Sequence, residues 1–147
     1  MISEAGTVTL GQLQLGLEDR LQEVRDEVRR VIAADFSLIS AVNAHLLQMQ
    51  GKLFRPTIVF LVDEAAGRRA TAGTTLAAVV ELIHLATLVH DDSVDHSVLR
   101  RGMPTINSLF SHQVSVIMGD YLYSRAVIEL VRLGAMEPLR VLSRVTN

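Results

Sequence analysis

The sequence predicts an all-α protein folded as a helix bundle. Three observations carry that prediction. Apolar residues recur at steps of three and four along Leu10, Leu13, Leu17, Leu21, Val24, Val28 and Ile32. Glycine and proline fall where helices should stop or start, at Gly51, Pro56, Gly67, Gly102, Pro104 and Gly134. No run alternates apolar and polar residues convincingly enough to make a strand.

The first helix is expected over Leu10 to Ile32. Its opposite face is solvated by Glu18, Asp19, Glu23, Arg25, Asp26, Glu27 and Arg29. A second should start near Ser37 or Ser40 and stop at Gly51, which suits a C-terminal cap. A third holds Pro56 in its first turn and ends around Gly67. Gly67 to Thr75 reads as loop. A fourth, long helix is expected from Thr75 to Val98, a fifth from Asn107 to Leu133, and a sixth from Glu137 to Val145. No internal repeat or linker divides the chain, so residues 1–147 are expected to form one domain.

Composition narrows the function. The chain has 147 residues, 49% of them hydrophobic but only 4% aromatic, so its core must be aliphatic and disorder is excluded. A formal net charge of -2 gives no sign of a nucleic-acid partner. With Cys at 0, neither a disulfide framework nor a thiolate metal site is available. The start MISEAGTVTL lacks the basic and apolar regions of a secretory signal. The apolar stretch Leu76 to Val89 contains Glu81 and His84 and is expected to be too short and too polar to span a bilayer. A soluble cytoplasmic protein is the expectation.

The chemistry concentrates in LVHDDSVDHSVLRRGMPT, Leu88 to Thr105. On a helix, His84, Leu88, Asp91 and Asp95 share one face, and Asp92 lies about 100° around from Asp91. Like charges at i, i+4 destabilise a helix by roughly 0.2–0.5 kcal/mol. Three acids near its C-terminal end also oppose its dipole. A divalent cation would relieve both effects, and an oxygen-only ligand set favours Mg²⁺ or Mn²⁺. Such an ion completes its shell with water and substrate phosphates, which Arg100 and Arg101 suit through forked hydrogen bonds. Acids at a helix end, and paired arginines, are ordinarily solvated surface. Their combination immediately before Gly-Met-Pro-Thr is what sets this stretch apart.

The segment ELIHLATLVHDDSVDHSVLRRGMPTIN, Glu81 to Asn107, resembles the first aspartate-rich D-D-x-x-D motif of the trans-isoprenyl diphosphate synthases, or polyprenyl synthetases. GKLFRP, Gly51 to Pro56, resembles that family's G-K-x-x-R-P, and GDYLYSRA, Gly119 to Ala126, its G-D-[FY]-L-x-x-[RK]-A. The resemblance implies an isoprenoid-synthase-type helix bundle, of which this chain would be the N-terminal part. It implies a Mg²⁺-dependent prenyltransferase that condenses isopentenyl diphosphate with an allylic diphosphate and extends it to a polyprenyl diphosphate. It implies that Asp91, Asp92 and Asp95 bind metal, that Arg100 contacts the allylic diphosphate, and that Lys52, Arg55, His84 and Arg101 bind isopentenyl diphosphate. It also places Ala86 and Thr87 along the growing product. Both are small, so a product beyond twenty carbons is expected. His90, His96 and His112 are read as structural or surface residues, and Asp120 as a packing or hydrogen-bonding position.

The departures are equally informative. Leu53 and Phe54 stand where the family often has Arg and Leu, and Met103 stands where it often has Lys. The family's second aspartate-rich motif, Lys-Thr pair and later Gln do not occur here. The expectation is therefore a truncated synthase that is inactive alone. A component of a split enzyme, or a diphosphate-binding regulatory subunit, remains an alternative. Family enzymes are dimers, so a homodimer or a partner chain is implied. An HD-type metal phosphohydrolase, built on His90-Asp91 with His84 and Asp120 as further ligands, is a weaker alternative. It accounts for neither Gly51–Pro56 nor Arg100–Arg101.

Overall fold

The computed structural model describes residues 7–49, 51–67 and 72–145. The elements are α1 Leu10–Leu13, α2 Glu18–Ile32, α3 Ser37–Gln48, α4 Phe54–Ala65 and α5 Gly73–Val94. A two-strand hairpin follows, β1 Leu99–Arg100 and β2 Met103–Pro104, and then α6 Ile106–Leu109, α7 His112–Arg132 and α8 Met136–Val145. The all-α expectation holds, with the hairpin as an addition.

Helix α5 is the axis, and α7, α2 and α4 pack around it. The core is aliphatic, as a chain with so few aromatic residues requires. Val24, Val28, Val42, Ala77, Ala78, Leu82, Leu122 and Ala126 are completely buried, and Phe60 is the largest side chain among them. By length and composition α5 could cross a membrane, contrary to the sequence expectation, because the helix is longer than its apolar centre. Half of its most apolar window is buried in the bundle. It also buries Glu81 and Asp92, which fits a core helix.

Two expected helices are broken. The first splits because Gly16 adopts φ +82, which ends one helical turn and lets α2 start afresh at Glu18. The fifth splits at Phe110, where Ser111 is extended and its hydroxyl accepts from the Val114 amide at 3.1 Å, capping α7. At its far end α7 stops in a Schellman motif. Gly134 has φ +62, and the Ala135 amide donates to the Leu130 carbonyl at 2.9 Å.

The long helix ends at Val94, short of the expected Val98. His96 is left-handed at φ +52, and the Ser97 amide donates to the Asp92 carbonyl at 2.9 Å, so the same cap forms without glycine. The chain then turns through Arg101 and Gly102, at φ +52 and +78, in the two-residue geometry of a tight hairpin. The Thr105 hydroxyl and the Asn107 amide both donate to the Ser97 carbonyl, closing the hairpin's base.

The segment GDYLYSRA latches α7 onto α2. The last carbonyls of α2 lack helical partners and are received from outside the helix. Arg125 donates to Val31 at 2.5 Å, Tyr121 to Ile32 at 3.0 Å, and Asn43 of α3 also to Ile32. Farther along, buried Glu129 pairs with Arg30 at 3.0 Å and Arg132 at 2.8 Å.

Candidate functional site

Four cationic or polar side chains predicted to act together do meet. Lys52 and Arg55 enter from the start of α4, His84 from the middle of α5, and Arg101 from the hairpin tip. They line one cavity of about 530 Å³ with Leu10, Gly51, Leu53, Phe54 and Glu81. Local backbone explains the convergence. Leu53 is buried and left-handed at φ +52, which reverses the chain between Lys52 and Arg55. Gly51 makes room for Arg101, since a Cβ there would sit 2.4 Å from its Nη1.

The electrostatics are those of an anion cradle with one buried acid. Burial pushes the Glu81 carboxyl up, while Arg55 and Arg101 pull it down. Burial lowers the His84 imidazole, and Arg55, Arg101 and Arg100 lower it further. His84 therefore sits neutral at pH 7 and offers one N–H donor. Glu81 was not singled out in the sequence. An acid one helical turn before His84, on the same face, is the signal that could have found it.

The aspartates divide. Asp91 and Asp95 are exposed and one turn apart, and the Asp95 amide donates to the Asp91 carbonyl at 2.8 Å. Asp92 is turned away into a largely buried position. Arg100 donates through Nε to both its oxygens, at 2.9 and 2.8 Å. That bond, with the field of Asp91 and Asp95, raises the Arg100 guanidinium further above its ordinary value. Asp92, expected with Asp91 and Asp95 to bind metal, is paired here with Arg100. Its place about 100° around the helix makes it the anchor of Arg100. Among the described residues, no group of three or more acidic or histidine side chains is disposed to hold a metal ion. Asp91 and Asp95 alone offer two carboxylates, which fits Mg²⁺ that draws its remaining ligands from water and substrate phosphate.

A second face of α5 opens on a cavity of about 520 Å³ lined by Ile83, Ala86, Thr87, His90, Asp120 and Tyr123, with Leu142 and Val145 of α8. A third, about 480 Å³, continues along Leu76, Val79, Val80 and Leu130 and shares Ile83, Leu142 and Val145. Ala86 and Thr87 therefore stand at the head of a mostly aliphatic path. His90 is more than a surface residue. Its Nε2 lies 3.2 Å from the Val116 carbonyl and 3.3 Å from Asp120 Oδ1. A Cβ on Gly119 would fall 2.2 Å from the ring, so only glycine admits His90 there. His84 and His90, paired in the phosphohydrolase alternative, line different cavities.

The helix bundle thus sets a cavity lined by Lys52, Arg55 and Arg101, and an exposed carboxylate pair, against one central helix beside an aliphatic path. Residues 36–147 match the polyprenyl synthetase family, and the chain belongs to it. It is 40% identical over 114 residues to octaprenyl diphosphate synthase of Escherichia coli (strain K12), covering 78% of this chain and 35% of that protein. It resembles the decaprenyl diphosphate synthase of Rhodobacter capsulatus with a TM-score of 0.86 and 35% identity, covering 91% of this chain and 42% of that one. It resembles a polyprenyl synthase of Caulobacter crescentus CB15, complexed with calcium and isoprenyl diphosphate, with a TM-score of 0.87 and 34% identity over 92% of this chain and 42% of that one. The chain thus spans 35% to 42% of the length of these relatives. The fold is that of the isoprenyl synthase helix bundles.

Proposed function

We propose that this chain carries the isopentenyl diphosphate cradle and the first aspartate motif of a trans-polyprenyl diphosphate synthase. The activity is head-to-tail condensation of isopentenyl diphosphate with an allylic diphosphate, repeated to a polyprenyl diphosphate. One observation carries the proposal. Lys52, Arg55, His84 and Arg101, drawn from three separate stretches, line a single cavity.

In this reading Lys52, Arg55 and Arg101 neutralise and orient the diphosphate of isopentenyl diphosphate, and His84 donates its N–H. Arg100, held in place by Asp92, faces the departing diphosphate of the allylic substrate and stabilises the charge it gains. Asp91 and Asp95 hold the metal, Mg²⁺ or Mn²⁺, which when bound supplies Lewis-acid neutralisation of that leaving group. The calcium and isoprenyl diphosphate in the Caulobacter structure support a divalent ion and a diphosphate at such a site. The aliphatic side chains of Ile83, Ala86, Leu142 and Val145 give the hydrocarbon chain of the allylic substrate an apolar wall. The small side chain of Ala86 leaves room for a product longer than twenty carbons.

The proposal includes a cytoplasmic location and a homodimer or partner chain. Exposed Phe54, Ile58 and Val62, each one turn from the next along α4, support a protein contact. The test uses the protein expressed from its intact reading frame, with labelled isopentenyl diphosphate, an allylic diphosphate and Mg²⁺. Label should pass into organic-extractable product. Asp91→Ala and Asp95→Ala should abolish it, and His90→Ala should reduce it less. Label that stays in water, with both substrates and metal present, would refute the proposal.

A further inference from the structure

The diphosphate cavity has one wall outside the region that matches the family, residues 36–147. Leu10 of α1 lines it beside Lys52, Arg55 and Arg101. Just after α1, Gln14 reaches across to the loop that bears Lys52. Its Nε2 donates to the Lys52 carbonyl at 2.7 Å and to the Thr57 hydroxyl at 2.9 Å. The Thr57 hydroxyl donates in turn to the Leu53 carbonyl at 2.8 Å. Both protons of the Gln14 amide are thus used, one on the Lys52 carbonyl and the other, through Thr57, in support of the Leu53 carbonyl.

The backbone at those positions needs holding. Leu53 is left-handed, a conformation that persists in a branched residue only where its surroundings determine it. The Leu53 side chain is held by burial at 1% exposure. Its carbonyl and that of Lys52 are held by the chain of hydrogen bonds that starts at Gln14. The N-terminal segment can lie there because Gly16 reverses it at φ +82 and Leu17, 2% exposed, anchors the reversal in the core.

We infer that Gln14 is a positioning residue for the diphosphate cradle. It fixes the Lys52–Leu53 backbone through its two amide protons and so aims Lys52 at the bound diphosphate, while Leu10 closes that side of the cavity. The inference rests on the reading that the cradle takes a diphosphate.

The test measures affinity for inorganic diphosphate by titration calorimetry. Gln14→Met keeps the length of the side chain and removes both donors. It should bind about tenfold more weakly than the wild type, the loss expected from one misaligned charge-assisted contact. The same substitution in a Lys52→Ala background should change affinity by less than about twofold, because Gln14 acts through Lys52. A purely structural role would weaken both backgrounds equally. If Gln14→Met lowers the helical circular dichroism, Thr57→Val severs one of the two Gln14 bonds from the other side and should weaken binding in the same direction, again only while Lys52 is present. Wild-type affinity in the Gln14→Met protein, or an equal loss in both backgrounds, overturns the inference. Absence of diphosphate binding by the wild type instead overturns the cradle itself, and this inference with it.

Discussion

Gly51→Ala separates recognition from stability at the cradle. A Cβ at Gly51 would lie 2.4 Å from Arg101 Nη1, 3.0 Å from Nη2 and 3.1 Å from Cζ. All three atoms belong to the far end of one flexible side chain. The clash is therefore resolved by moving the guanidinium and not the fold. Thermal stability should stay within about 0.5 kcal/mol of wild type, the range of a surface substitution. Diphosphate recognition should suffer, because hydrogen bonds to a charged group contribute about 1.5–3 kcal/mol each. That corresponds to about 10- to 100-fold weaker binding of inorganic diphosphate. Titration calorimetry gives the affinity and urea unfolding gives the stability. Arg101→Ala should match Gly51→Ala in affinity, and the double variant should be no weaker than either. Wild-type affinity in Gly51→Ala would refute the placement of Arg101 in the cradle.

Other outcomes follow from the same geometry. Burial and nearby arginines hold His84 below its ordinary 6.5, so the unfolded chain binds that proton more tightly; this contribution lowers stability as pH falls through 6.5. Glu81 is raised above its ordinary 4.5, so the folded chain holds its proton longer and loses stability as pH rises through 4.5. A bound diphosphate favours the protonated form of both groups, so its affinity should increase as pH falls toward 6.5, and His84→Asn should flatten the slope measured by calorimetry. Gly119→Ala would ordinarily stabilise a helix by about 0.5–1 kcal/mol. Here it must push His90 off Val116 and Asp120, so urea unfolding should show a loss of about 1–3 kcal/mol that His90→Ala largely removes. Ala86→Phe, at a position 2% exposed on the path beside Thr87, should shorten the product made by the intact enzyme. An unchanged chain length in product analysis would show that the path lies elsewhere.

Periodicity made the helices legible because one face of each must be buried. Starts and stops were less legible. Gly16 sits inside an unbroken apolar rhythm from Leu10 to Ile32, and only its φ shows that the helix breaks there. His96 ends α5 in a conformation usually given to glycine, so its composition hid the cap. The hairpin strands are two residues each, too short for alternation to show. Among site residues, the cradle was legible through charged types in a family pattern. What escaped was neutral or inverted in sign: Glu81 is an acid in an anion site, Gln14 acts through backbone, and Gly51 and Gly119 matter for the side chain they lack. The place of Asp92 about 100° around from Asp91 was legible, but its pairing with Arg100 was not.

The most direct test of the account is a calorimetric titration of this chain with isopentenyl diphosphate, wild type against Arg55→Ala. The account predicts one saturable site per chain, weakened about 10- to 100-fold by the substitution. No saturable binding, or equal affinity in the two proteins, would contradict the assignment of this cavity to the diphosphate.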